Sequence, residues 1–252
     1  MKSSVKLSVE NLTEEPYATI LCYPHTKPLE VANRILELKE LGVQMVEFTG
    51  SGSAANVSVI GKGYTGIVII AHTNSEQLAL KIRRIDSGRE NFFHEAEMLQ
   101  KANNVAVGPR ILAGSKNFLL SQFVDGDFLT KWLNDNKDTE NFCRVIRDVL
   151  EQCWRLDMVG LDHGELSKAP RHLLMDKLDK PFIVDFETAS IQRRVANVTS
   201  VCQHFFVGDS FVSKLVWETL GKKSRSQIVN ALQNYKKDKS RQNFETILQI
   251  CL

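Results

Sequence analysis

A glycine-rich loop, Gly61-Lys62-Gly63-Tyr64-Thr65-Gly66, stands fifteen residues ahead of Lys81 in this chain. Well downstream come Leu156-Asp157-Met158-Val159-Gly160-Leu161-Asp162-His163-Gly164-Glu165 and then Asp185-Phe186-Glu187. These side-chain types, taken together, suit phosphate chemistry. Small residues let backbone N–H groups approach phosphate oxygens. An ammonium can hold those oxygens, and carboxylates can hold a metal or orient a hydroxyl proton.

The GxGxxG pattern alone has three readings: a dinucleotide-binding turn, a loop over nucleotide phosphates, or an ordinary hairpin turn. A dinucleotide fold needs a helix directly after the loop, so that the pyrophosphate meets the helix N-terminus. Here the loop runs into Ile67-Val68-Ile69-Ile70, a β-branched run that favours a strand. The loop is therefore expected within a hairpin, whether it covers phosphates or merely turns the chain.

The elements that must position these residues can be read from pattern and punctuation. A helix is expected from Thr26 as cap and Pro28 in its first turn to Gly42, with Leu29, Ala32, Ile35, Leu36 and Leu41 roughly on one face. Val43 to Phe48 alternates like a strand. Strands are expected at 56–60 and 67–71 around the glycine loop, and at 78–82, which carries Lys81. A helix is expected over 89–103, with Phe92, Ala96 and Leu99 on one side. Two more strands follow at 111–113 and 117–124. After Gly126 the character becomes helical: 129–133, 142–158 and most of 198–252, with a short strand at Ile183-Val184. Strands first and helices after give an α+β chain that divides near residue 125.

Composition excludes several classes. At 252 residues the chain can bury a full core, and 43% apolar with 25% charged residues is ordinary for a globular protein. A formal net charge of +2 gives no argument for nucleic acid or membrane. No apolar run nears the ~18 residues of a membrane span, and residues 1–6 lack an apolar signal core. The five cysteines are scattered, odd in number and without CxxC spacing. Reduced thiols in a cytoplasmic protein are expected rather than disulfides or a zinc site.

Leu156, Gly160, His163, Gly164 and Leu166 match a loop pattern of the protein-kinase-like superfamily. The chain resembles its atypical members, the RIO-type kinases and small archaeal Ser/Thr protein kinases, over about residues 57–190. The resemblance implies a two-lobed fold. Residues 1–50 would be an N-terminal extension with one helix, 51–125 a β-rich N-lobe, and 126–252 a reduced helical C-lobe. It implies ATP as cofactor with Mg or Mn, and transfer to Ser or Thr of a protein, autophosphorylation of the chain itself included. Gly61, Gly63 and Gly66 would cover the phosphates. Lys81 would hold them, oriented by a helix carboxylate. Glu95 is chosen over Glu97 because Met98 and Leu99 follow it at three and four positions. Backbone groups near Gln122 and Val124 would meet adenine. Asp185 would hold the phosphate-bridging metal.

Two departures bear on catalysis. Glu165 stands where the family has its catalytic Asp. The extra methylene moves the carboxylate by roughly an ångström, a displacement that can cost on the order of 100-fold in rate. His172 stands where the family has a metal-binding Asn, and imidazole suits softer metals than magnesium. No Ala-Pro-Glu motif follows Asp185, and only 65 residues follow Glu187.

Three further readings stay open at this point. A nucleotide-binding pseudokinase or ATPase-like switch is motivated by Glu165 and His172. A small-molecule kinase is motivated by related folds. An RNA or ribonucleoprotein contact is motivated by Lys222, Lys223, Arg225, Lys236, Lys237, Lys239 and Arg241, although a solvated helix face explains the same charges.

Overall fold

A computed structural model describes residues 4–136 and 138–252. It is a mixed α+β protein that divides into two compact units. One holds residues up to Glu97 together with Arg110–Phe123; the other holds Met98–Pro109 and Val124–Leu252.

The first unit begins with β1 (Val5–Ser8), a 3₁₀ turn (Val9–Thr13), α1 (Tyr17–Leu21) and α2 (Pro28–Glu40). Then follow β2 (Met45–Phe48), β3 (Gly52–Ala54), β4 (Val57–Val59), β5 (Gly61–Lys62), β6 (Gly66–His72) and β7 (Gln77–Arg83). Helix α3 (Phe93–Asn103) starts in this unit, and β8 (Ile111–Gly114) and β9 (Phe118–Gln122) return to it. The main sheet is antiparallel in the order β1-β2-β6-β7-β9-β8, with β5 also paired to β6. β3 and β4 form a separate hairpin. The residues expected as an extension with one helix thus supply two helices and two strands, and β1 and β2 belong to the sheet itself.

Local readings need correction in two places. Lys27, not Thr26, occupies the position before α2; the Thr26 hydroxyl instead donates to Glu15. The buried face of α2 is Val31, Arg34, Ile35 and Leu38, while Leu29 and Leu36 are exposed. A fully buried arginine replaces leucine there because acceptors surround it. Its guanidinium donates to the carbonyls of Leu21 (2.7 Å) and Arg83 (2.6 Å), to Asn117 (2.9 Å) and to Glu30 (2.8 Å). A buried charge persists only when paired and hydrogen-bonded in this way. Helix α3 starts later than residue 89 because the Asn91 side chain accepts the Phe93 N–H, as a helix start requires.

The second unit contains β10 (Gly126–Phe128), α4 (Leu129–Asp135), α5 (Thr139–Met158), a 3₁₀ segment (Leu166–Arg171), β11 (Leu173–Asp176) and β12 (Pro181–Ile183). It ends in α6 (Asn197–Cys202), a wide helical turn (Gln203–Val207), α7 (Phe211–Leu220), α8 (Arg225–Lys237) and α9 (Arg241–Cys251). β10, β11 and β12 make a small antiparallel sheet. Helix α5 carries the core. Phe142, Val145, Ile146, Val149, Leu150, Cys153 and Leu156 recur at helical spacing and are all fully buried. Side chains of Asp138, Ser210, Ser224 and Ser240 cap α5, α7, α8 and α9. No helix of the described residues is long and apolar enough to cross a membrane.

Candidate functional site

In the first unit, β5 and β6 form the hairpin that carries the glycine loop. Gly61 faces Val68 and Lys62 faces Ile67, and the Gly63 N–H donates to the Gly66 carbonyl at 2.8 Å. Arg84 steadies the turn, donating to the Gly63 carbonyl at 2.9 Å. Gly66 is the position where absence of a side chain matters. A Cβ there would lie 2.9 Å from the Ile82 carbonyl oxygen and 3.0 Å from Cγ of Lys81. Around Gly61 a Cβ would meet nothing within 4 Å.

Lys81 sits mid-strand on β7, opposite Val68 on one side and Leu119 on the other. Its ammonium lies 2.9 Å from both carboxylate oxygens of Glu95 on α3. Both side chains are largely buried, 15% and 7% exposed, so the contact is not a solvated surface pair. The ring of Phe92 adds a cation–π face 5.5 Å from the ammonium. Glu97, two residues on, is exposed. Near the end of β9, the Gln122 N–H donates to the Arg110 carbonyl at 2.7 Å, so that donor is already engaged. Val124 belongs to the second unit and is buried.

In the second unit, the segment after α5 brings together Glu165, His172 and Asp185. Nε2 of His172 is 3.3 Å from Oε2 of Glu165, and its Nδ1 is 4.0 Å from Oδ2 of Asp185. One candidate ligand atom from each residue lies within 4.8 Å of the other two. His172 is only 6% exposed, and its Nδ1 has no hydrogen-bond partner. An orphaned imidazole nitrogen facing Asp185, on a buried ring that lies between two carboxylates, fits a divalent cation. An octahedral ion with bonds of about 2.1 Å separates its donors by roughly 3 to 4 Å. The mixed nitrogen and oxygen donors suit manganese better than magnesium. Lys168 is exposed.

Backbone conformation and a buried polar network hold this arrangement. Asp185 has φ +69°, a left-handed conformation that is uncommon outside glycine and clusters at functional sites. Phe186 next to it is buried, with Leu99 and Gly108 beside it; a Cβ on Gly108 would lie 3.1 Å from the Phe186 ring. His163 is fully buried, with its ring edge-on to His172 and Phe186 at 5.3 and 5.0 Å. Its Nε2 meets the Val184 carbonyl at 3.0 Å, which requires that nitrogen to carry the proton. Burial pulls the His163 pKa down to about 4, so the ring is neutral near pH 7.

Gly164, at φ +89°, lies against Thr188, and the Thr188 hydroxyl donates to the His163 carbonyl at 3.0 Å. The His163 N–H is accepted by the Asn197 side chain. Asn197 in turn donates to Asp157 (2.8 Å) and to the Leu161 carbonyl (2.8 Å). Asp157 also accepts the Tyr235 hydroxyl at 2.9 Å, and burial raises its pKa despite these bonds. The sequence carries no local signal for Asn197, nor for this buried role of Tyr235. The signal was Asp157, an acid within the apolar end of α5, but its partners lie 40 and 78 residues downstream.

The basic C-terminal residues do not form one face. Lys222, Lys223 and Arg225 lie at the start of α8, and Lys236, Lys237 and Lys239 at or beyond its end, about 20 Å apart along a helix of this length. Arg225 pairs with Asp209, and Arg241 pairs with Glu151 (2.7 Å) and with Glu245. Arg225 and Lys222 also stack on Trp217.

No family model matches the chain. Over 99 residues it is 29% identical to a protein of Methanocaldococcus jannaschii named Uncharacterized protein MJ1211. The match covers 39% of this chain and 82% of that relative. The comparison supplies a relative and no activity.

Proposed function

We propose that the chain has a two-lobed protein-kinase-like fold and transfers the γ-phosphoryl group of ATP to a hydroxyl acceptor. The observation that carries this reading is the buried, two-pronged contact of Lys81 with Glu95 beside the glycine hairpin. A strand lysine fixed by a helix carboxylate is the arrangement that orients nucleotide phosphates in kinases. Lys81 would hold phosphate oxygens, Glu95 would fix the lysine rotamer, and N–H groups of the hairpin turn would face the phosphates. Asp185 and His172 would hold a divalent cation, which when bound offsets charge on the phosphoryl oxygens. Glu165 would orient the acceptor hydroxyl and accept its proton.

A second reading, a nucleotide-binding switch with little or no transfer, is favoured by one observation. The Glu165 carboxylate is turned to His172 at 3.3 Å, a contact that competes with an acceptor hydroxyl. The nucleotide-holding role of the first unit is tested by ATP binding to Lys81→Met, Glu95→Gln and the double variant. Each single change should weaken binding, and the pair should be non-additive, with a coupling of roughly 0.5–3 kcal/mol. Full ATP affinity in both single variants would remove Lys81 from the nucleotide site.

A further inference from the structure

We infer that Arg193 is a positioning residue for the cluster of Glu165, His172 and Asp185. Its guanidinium fastens the loop that carries Glu165 to the segment that leaves Asp185, and so keeps the Glu165 carboxylate within the donor set. This inference rests on the cation site of the reading above, not on the identity of the acceptor.

The three donors are not held alike. His172 and Asp185 flank a strand ladder: Leu173 pairs with Ile183, and the Val184 N–H donates to the His172 carbonyl at 2.9 Å. Glu165 lies before the 3₁₀ segment, outside that ladder. Its place depends on Asp162, His163 and Gly164, which belong to no helix and, beyond one bridge from Asp162 to Ser190, to no strand. Something other than regular secondary structure must hold them.

Arg193 grips these residues and the other loop at once. Its Nε donates to Oδ2 of Asp162 at 2.8 Å, three residues before Glu165. Its Nη2 donates to the Thr188 carbonyl at 2.8 Å, three residues after Asp185, and lies 3.4 Å from the Asp162 carbonyl. Asp162 is buried, and its other carboxylate oxygen accepts the Ala196 N–H at 3.0 Å. The carboxylate is therefore a fixed anchor and not a solvated acid. A planar guanidinium can bridge a carboxylate and a carbonyl in one rigid geometry, which a single ammonium cannot do.

The same guanidinium accounts for the glycine next to Glu165. A Cβ on Gly164 would run into Nη2 of Arg193 and lie 3.0 Å from the Thr188 carbonyl oxygen. The space that a side chain at 164 would take is thus filled from the downstream segment. A cation site needs its donors placed to within about 0.5 Å, so a support that joins two ligand loops governs affinity without touching the ion.

The test is a calorimetric titration of the full chain with manganese, without nucleotide. Arg193→Gln should bind manganese about tenfold more weakly than the parent, as loss of an outer support does. Glu165→Gln should lose a similar factor. The double variant should lose no more than roughly twofold beyond Glu165→Gln, because Arg193 acts through that carboxylate. A merely structural arginine would instead give losses that multiply. Arg193→Lys keeps a charge beside Asp162, and with it the fold, which a melting curve checks; it should still bind more weakly than the parent. Arg194, which donates to the Lys236 carbonyl instead, serves as control, and Arg194→Gln should match the parent. Parent affinity in Arg193→Gln and Arg193→Lys overturns the inference. So do multiplying losses in the double variant, or a parent chain that binds no manganese. ATP takes no part in this titration. Manganese binding that depends on Arg193 in a chain that transfers no phosphate would sink the transfer reading alone. Transfer in a chain whose manganese affinity ignores Arg193 would sink this inference alone.

Discussion

Nε2 of His172 faces Oε2 of Glu165 at 3.3 Å, joining two residues that a 3₁₀ segment separates in sequence. The other imidazole nitrogen lies 4.0 Å from Asp185, so one ring stands between the two carboxylates of the cluster. The ring selects the metal if it is a ligand. His172→Asn replaces a nitrogen donor by an amide oxygen. Manganese affinity should fall by about 10- to 100-fold while magnesium affinity holds or improves. Metal titrations of the two proteins, read by calorimetry, check this. Unchanged manganese binding would mean that His172 only bridges the carboxylates.

Glu165→Asp tests whether the site is built around the longer side chain. Shortening by one methylene withdraws the carboxylate roughly an ångström from His172, and transfer should fall on the order of 100-fold. A rise in transfer would mark Glu165 as a damaged base. Single-turnover rates at saturating ATP separate this from a loss of nucleotide binding.

The glycines of the loop should differ in what they tolerate. Gly66→Ala drives a Cβ into the Ile82 carbonyl and the Lys81 stem, both within 3.0 Å. It should destabilise the protein by about 1–3 kcal/mol and weaken ATP binding by displacing Lys81. Gly61→Ala meets no atom within 4 Å and should stay within about 0.5 kcal/mol of the parent. Denaturant unfolding of both variants checks the contrast.

The hairpin and the Lys81–Glu95 contact were legible because their spacing is local. Lys81 follows the glycine hairpin by one strand and a turn, and one helical turn places Met98 and Leu99 behind Glu95. The helices of the C-terminal half were legible from periodicity, with Phe142, Val149 and Leu156 on one face of α5. What sequence could not give depends on distant partners. Arg34 reads as a surface charge until the carbonyls of Leu21 and Arg83 and the side chain of Asn117 close around it. Leu29 and Leu36 then read wrongly as core. β1 pairs with β2 across two intervening helices, which no local pattern encodes.

Labelled ATP reads phosphoryl transfer itself. The purified chain would be assayed with magnesium and with manganese, with small hydroxylated acceptors and a generic protein acceptor, beside Lys81→Met and Asp185→Ala. The proposed transfer puts label on a hydroxyl acceptor, more with manganese than with magnesium, and is lost in both variants. ATP binding without transfer to any acceptor in either metal would contradict it and leave a nucleotide-binding switch.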